Sequence, residues 1–230
     1  MIKNATKRTE QHEVSISSGT VVLAGELQAP DAAMGLVLFA HGSGSSRHSP
    51  RNQYVAGVLR SAGLATLLFD LLTPEEEAVD SRTMRLRFDI ELLAARLVDA
   101  TLWAEAQPEV RSLSRGFFGA STGGAAALVA AAELSGGDVG AVVSRGGRPD
   151  LAGPVLSAVK SPTLLIVGGR DDVVLELNQW ALDQLTCEKE LRVVPGATHL
   201  FEEPGALEEV ARHAADWFVR HLRPASQAIR

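Results

Sequence analysis

The sequence predicts a doubly wound α/β fold with a mostly parallel sheet of about eight strands. Three observations predict it. Short apolar runs bounded by turn residues recur along the chain, helical stretches separate them, and only the first two runs are close enough to form a hairpin. At 230 residues and 46% hydrophobic, the chain can bury the core of one such domain. No linker rich in proline, glycine or serine divides it, and no internal repeat is visible. We therefore expect a single domain over residues 12–223, between tails at 1–11 and 224–230.

The elements follow in order. Residues 12–17 (HEVSIS) and 20–27 (TVVLAGEL) flank Ser18-Gly19 and read as a β-hairpin. Residues 35–40 (GLVLFA) and 64–69 (LATLLF) are apolar throughout, as strands covered on both faces are, and a helix is expected between them from about Asn52 to Ala62. An acidic stretch at 75–80 reads as a loop. Over 83–106, Met84, Phe88, Leu92, Ala95 and Val98 recur at three- and four-residue steps, which predicts one long helix. Strands at 114–118, 139–144, 163–167 and 190–194 then alternate with helices at 122–134, 153–158, 173–185 and 205–221. Only residues 145–162 separate two of these strands, too few for a large cap domain.

Composition narrows the function. The first dozen residues are polar and lack the apolar centre of a signal peptide. The longest apolar stretch, near 123–132, falls short of the ~18 residues of a membrane span. A net charge of −6 argues against a nucleic-acid surface, and one cysteine, Cys187, fits a reducing compartment. The expectation is a soluble cytoplasmic protein acting on a small molecule, with no nucleic-acid or membrane partner. No H-E-x-x-H, no C-x-x-C and no Walker pattern is present, so neither metal nor organic cofactor is expected.

The chemistry centres on Gly119-Ala120-Ser121-Thr122-Gly123, a G-x-S-x-G turn between a strand and a helix. With 21 glycines in the chain, such a match arises easily by chance, and a serine there could simply cap the helix. Its partners decide. Ligands of open parallel sheets bind beyond the carboxyl ends of the strands, and there the chain places Ser121, then Asp171-Asp172, then His199. That chain order is the one found on α/β-hydrolase sheets. A serine hydroxyl is a poor nucleophile without a base; His199 would accept its proton, and one of the two aspartates would orient the imidazole. An oxyanion hole needs two backbone N–H groups, expected from Thr122 and from Ser43 in the HGSGSS loop. His41, Arg47 and Arg145, with His48 and Arg148, lie at the same edge. They are expected to favour a substrate with a carboxylate or other polar part, unless they are held in salt bridges with the acidic stretches at 75–77 and 202–203.

The runs FAHGSGSS, GASTG, SRGGRPDL, LLIVGGRD and GATHLFEEPG, spread over residues 14–223, resemble the small lidless α/β-hydrolases akin to dienelactone hydrolases. In that family the acid lies three residues after the glycine closing its strand, and the resemblance therefore implies Asp171, three after Gly168. Dienelactone hydrolases proper carry a cysteine nucleophile, whereas position 121 is serine and Cys187 stands at no elbow. The resemblance implies hydrolysis of small esters or lactones through an acyl-enzyme. Thioester or amide hydrolysis, acyl transfer or cofactor-free perhydrolysis could run on the same triad. A non-catalytic binding protein on this fold is the reading from another class.

Overall fold

The computed structural model describes residues 10–134 and 138–222. Most of the two expected tails, at 1–9 and 224–230, lies outside them. The hairpin is present as β1 (Glu10–Ser18) and β2 (Val21–Ala29), paired antiparallel around Gly19-Thr20, one residue later than expected because Ser18 pairs with Val21. Gly19 turns the chain with φ of 55°, a left-handed conformation that suits a residue without Cβ.

β3 (Leu36–Ala40), α1 (Pro50–Ser61) and β4 (Ala65–Phe69) form the first crossover unit. Then come α2 (Pro74–Thr83), α3 (Ile90–Glu105), β5 (Arg115–Ala120), α4 (Thr122–Glu133), β6 (Val139–Arg145), β7 (Thr163–Gly168), α5 (Asp172–Gln184), β8 (Lys189–Val194) and α6 (Ala206–His221). The eight strands form one sheet in the order β1-β2-β4-β3-β5-β6-β7-β8, and from β4 onward all neighbours are parallel.

The apolar runs are explained by this order. β3, β4 and β7 are buried along their whole length because helices cover both faces of the sheet. On one face α1 and α6 pack Val55, Leu59, Val210, Ala214 and Phe218 against Val37, Phe39, Phe118 and Val143. On the other, α3, α4 and α5 supply Leu93, Leu97, Leu128 and Ala181 against Leu38, Phe117 and Leu165. β8 lies at the sheet's edge and is correspondingly polar, with Lys189, Arg192 and Val193 exposed. β5 is central. Its carboxyl end abuts those of β3 and β6, and β7 and β8 follow outward, so the loops carrying the candidate residues converge.

Three expectations need revision. The acidic stretch is helix α2, not a loop. Thr73 caps it in a reciprocal box with Glu76, and Pro74 occupies the first turn. The predicted helix over 83–106 starts only at Ile90. Met84 takes a left-handed conformation (φ 54°) that ends α2, and Asp89 accepts the Leu92 N–H at 3.0 Å to start α3. The apolar spacing through Met84 and Phe88 was coincidental: both are exposed, and the face α3 buries runs through Ile90, Leu93, Ala94, Leu97 and Ala100. The short helix expected at 153–158 is a 3-10 segment from Pro149 to Ala158, broken at Gly153, where φ is 44° and ψ −115°.

Candidate active site

Ser121 leaves β5 at φ 52° and ψ −120°, a conformation costly for a residue with a Cβ. The turn is held from both sides, as the Ser121 N–H donates to the Arg145 carbonyl at 3.2 Å and the Ser121 carbonyl accepts from the Arg148 N–H at 3.1 Å. The glycines around it allow close crossing of strand and helix. A Cβ at Gly119 would lie 2.4 Å from the Gly123 carbonyl oxygen, and one at Gly123 would lie 2.1 Å from that of Ala40. The simpler reading of Ser121 as a helix cap does not fit, because its hydroxyl makes no capping bond to α4.

His199 Nδ1 lies 2.6 Å from Asp171 Oδ2. With that proton donated to the carboxylate, Nε2 is left as the acceptor. Asp171 holds this contact while Asp172 is exposed in the first turn of α5, so the two aspartates have separate fates. Backbone contacts join the loops that carry Asp171 and His199: the Arg170 N–H donates to the Ala197 carbonyl at 2.9 Å, and that of Gly169 to Val194 at 2.8 Å. A Cβ at Gly168 would lie 2.4 Å from the Ala197 carbonyl oxygen, so this approach requires glycine. Glu203 closes the His199 loop by accepting the Thr198 N–H, both oxygens at 3.1 Å. Those bonds hold its carboxyl below the usual range.

The loop after β3 lies against the elbow. A Cβ at Gly42 would stand 3.1 Å from that of Ser121, and Ser43 Oγ meets Thr122 Oγ1 at 3.1 Å. The residues expected to supply the two oxyanion donors are therefore neighbours across two loops. His41, which lines the polar basin beside the cleft and not the cleft of Ser121, anchors this loop through its ring. Nε2 accepts the Leu71 N–H at 2.9 Å and Nδ1 contacts the Gly42 carbonyl at 3.0 Å, which assigns the proton to Nδ1. Burial lowers its pKa and keeps the ring neutral.

The arginines divide. Arg47 is committed to Asp70, through its side chain and through its backbone N–H at 2.7 Å, and it lines no cleft with Ser121. Its expected role at the substrate is therefore corrected to bracing the loop. Arg148 makes two bonds to Asp150, at 2.7 and 2.8 Å. Arg145 is 9% exposed, and neither its Nε nor its Nη1 meets an acceptor among the described residues; its guanidinium stands 5.9 Å from the Phe201 ring. Burial, with Arg51 nearby, lowers its pKa to about 10.

Ser121, His199, Arg145, Arg51, Ser45 and Ser49 line one cleft of about 190 Å³. It adjoins a larger polar basin of about 510 Å³, bounded by Ser43, His48, Asp70, Thr73 and Glu77. Arg51 was missed in the sequence. Pro50 is a helix-opening residue, and it places Arg51 in the first turn directly after the HGSGSS loop. Cys187 is half-buried far along the chain, its thiol pKa pushed up by burial, and it lies outside the cleft. Among the described residues, no cluster of His, Cys, Asp and Glu is suited to a metal ion, and no helix is long and apolar enough to cross a membrane.

Comparison with known proteins gives a consistent picture. The sequence model of the dienelactone hydrolase family matches residues 23–223. A Mycobacterium tuberculosis protein, named as a candidate phosphoribosyl transferase, is 63% identical over 210 residues, covering 91% of this chain and 46% of that protein. The chain thus spans about half the length of the curated relatives it matches. The crystal structure of a dienelactone hydrolase from Anabaena variabilis is similar with a TM-score of 0.91 and 61% identity, over 94% of this chain and 99% of that one. Est1E from Butyrivibrio proteoclasticus shares the fold at 16% identity, with a TM-score of 0.75 over 91% of this chain and 98% of its own.

Proposed function

Since this chain belongs to the dienelactone hydrolase family of α/β hydrolases, we propose that it is a serine hydrolase cleaving small carboxylic esters or lactones through an acyl-enzyme. One observation carries the reading: a strained Ser121 shares a cleft with His199, whose other ring nitrogen is 2.6 Å from Asp171.

Ser121 Oγ attacks the ester carbonyl as His199 Nε2 takes its proton, and Asp171 stabilises the imidazolium without accepting that proton. The backbone N–H groups of Ser43 and Thr122 receive the developing oxyanion, the latter at the positive end of α4. His41 acts through them by fixing the Gly42 carbonyl and hence the orientation of the next peptide. Collapse of the tetrahedral intermediate returns the proton to the leaving alkoxide, and water then repeats the sequence to release the acid. The candidate phosphoribosyl transferase name describes a relative about twice as long, of which this chain matches 46%.

Hydrolysis of p-nitrophenyl acetate, butyrate and octanoate by wild type and by Ser121→Ala tests the reading, with fluorophosphonate labelling beside it. Turnover that drops to near background in the variant is the expected result, with label on Ser121 alone. Equal rates in the two proteins, and label elsewhere or nowhere, would overturn it in favour of a binding protein on this fold.

A further inference from the structure

Several arginines of this protein have a carboxylate partner. Arg47 has Asp70, Arg87 has Asp80, Arg96 has Glu76 and Arg148 has Asp150. Arg145 departs from this pattern in the least favourable place, nine-tenths buried at the end of β6. Two of its N–H-bearing nitrogens meet no acceptor among the described residues, and Phe201 offers it only a ring face. A buried unpaired cation is strongly disfavoured, so a position of this kind calls for an anion from outside the chain.

The surroundings say which anion. Arg51 lines the same cleft close enough to depress the ionisation of Arg145, so two cations of like sign face one small volume. Its Nε is buried without an acceptor, and its own carboxylate, Glu202 at 3.2 Å, is largely exposed to solvent and therefore weak. Ser45 and Ser49 add hydroxyls to the same wall. Ser49 Oγ only accepts a long bond from the Asn52 N–H at 3.5 Å, which leaves its proton to donate. A carboxylate has two oxygens and one charge, enough for one guanidinium. A phosphate monoester has three terminal oxygens and close to two charges, enough for two guanidiniums with acceptor capacity left for a hydroxyl.

We infer that Arg145 and Arg51 form an anion subsite beside Ser121, which takes a phosphate group carried by the ester substrate. This rests on the reading of Ser121 as the nucleophile, because it is the shared cleft that makes the bound anion part of the substrate. The phosphate is held and not transferred; the bond that breaks is the ester at Ser121.

Calorimetric titration of inorganic phosphate into the Ser121→Ala protein reads the subsite without turnover. Saturable binding is expected, weakened about tenfold or more when Arg145→Gln is added, as loss of a charge-assisted bidentate contact implies. Acetate and succinate should bind more weakly than phosphate. In the wild type, phosphate should compete with p-nitrophenyl acetate.

Absence of saturable phosphate binding, or equal affinity with and without Arg145, would overturn the subsite. Succinate or acetate binding as tightly as phosphate would overturn its assignment to phosphate. If the Arg145→Gln protein fails to fold, Arg51→Gln must weaken phosphate binding, and unchanged affinity there counts against the proposal. The two readings fail separately. Fluorophosphonate labelling of Ser121 without phosphate binding removes only the subsite, whereas phosphate binding without labelling removes only the nucleophile.

Discussion

A guanidinium that is nine-tenths buried without a carboxylate loses hydration that no acceptor among the described residues returns to its Nε and Nη1, so Arg145 weakens the fold that holds it. Its pKa in the folded protein, about 10, lies below the ordinary arginine range. The destabilisation is therefore fully present below pH 10, including neutral pH, and is relieved only as the pH rises from there toward the unfolded value. Arg145→Met should raise the melting temperature at neutral pH, by roughly 1–3 kcal/mol of stability, while losing anion binding. A lower melting temperature would mean that the guanidinium has support in the fold beyond the Phe201 ring. Asp171 and Asp172 supply a second contrast at this scale. Asp171→Asn should lower kcat by about 10³- to 10⁴-fold by removing the carboxylate that orients His199, and Asp172→Asn should leave kcat within about twofold. Glycine 123 is the third case. A Cβ there meets the Ala40 carbonyl at 2.1 Å, backbone that cannot yield, so Gly123→Ala should fail to give soluble folded protein. The neighbouring Gly44, whose nearest atom is a side-chain nitrogen of Arg87 at 3.8 Å, has space for a methyl but a φ of 64°, so Gly44→Ala should cost only about 1 kcal/mol.

At the scale of elements, α2 is held to the body less by apolar contact than by charge. Its only fully buried residue is Asp80, which accepts from Arg87 Nε at 2.6 Å and from the Leu86 N–H at 2.7 Å. Glu76 meets Arg96 in a two-pronged pair at 2.6 Å each, and Arg96, itself buried, reaches on to the Leu71 carbonyl. Leu71 is also the residue whose N–H is held by His41, so the pair that anchors α2 and the histidine that anchors the loop after β3 meet at the same residue. The hydrogen bonds from Arg96 hold the Glu76 carboxyl below its usual range. Its contribution is thus complete above the unfolded value and is lost as the pH falls through the lower folded value. Glu76→Gln should destabilise the protein by about 1–3 kcal/mol at neutral pH, and the gap from wild type should close in strong acid. Melting curves across that range check it, and a gap independent of pH would mean that shape rather than charge anchors α2.

The whole molecule is organised by one sheet that separates two apolar layers, and β3, β5 and β6 contribute to both. The hairpin is tied in as well, since Ser18 Oγ donates to Asp99 of α3 at 2.6 Å. Loss of either layer exposes the strands that the other requires. Denaturant unfolding followed by far-UV circular dichroism should coincide with that followed by fluorescence of Trp103, Trp180 and Trp217, which lie on α3, α5 and α6. Separated transitions would mean that the layers fold independently.

Much of this was legible in the sequence because the signals were local. Apolar runs without alternation marked strands covered on both faces, and G-x-S-x-G followed by an aspartate pair and a histidine marked the converging loops. Even α2 was announced, since Thr73-Pro74 with Glu76 is a capping box that a reading of net acidity passed over. The start of α3 was misplaced for the opposite reason: a helical period continued by chance through Met84 and Phe88, and only the left-handed backbone at Met84 shows where the helix is interrupted. What tertiary structure alone decided is which polar groups meet. A charge is assigned its role by the desolvation it suffers and by the partner within about 3 Å, and neither quantity is written in local sequence. By sequence, Arg47, Arg145 and Arg148 were alike, and Asp171 was separated from Asp172 only by family spacing. Packing gave Arg47 to Asp70, Arg148 to Asp150 and Asp171 to His199, and left Arg145 without a carboxylate among the described residues.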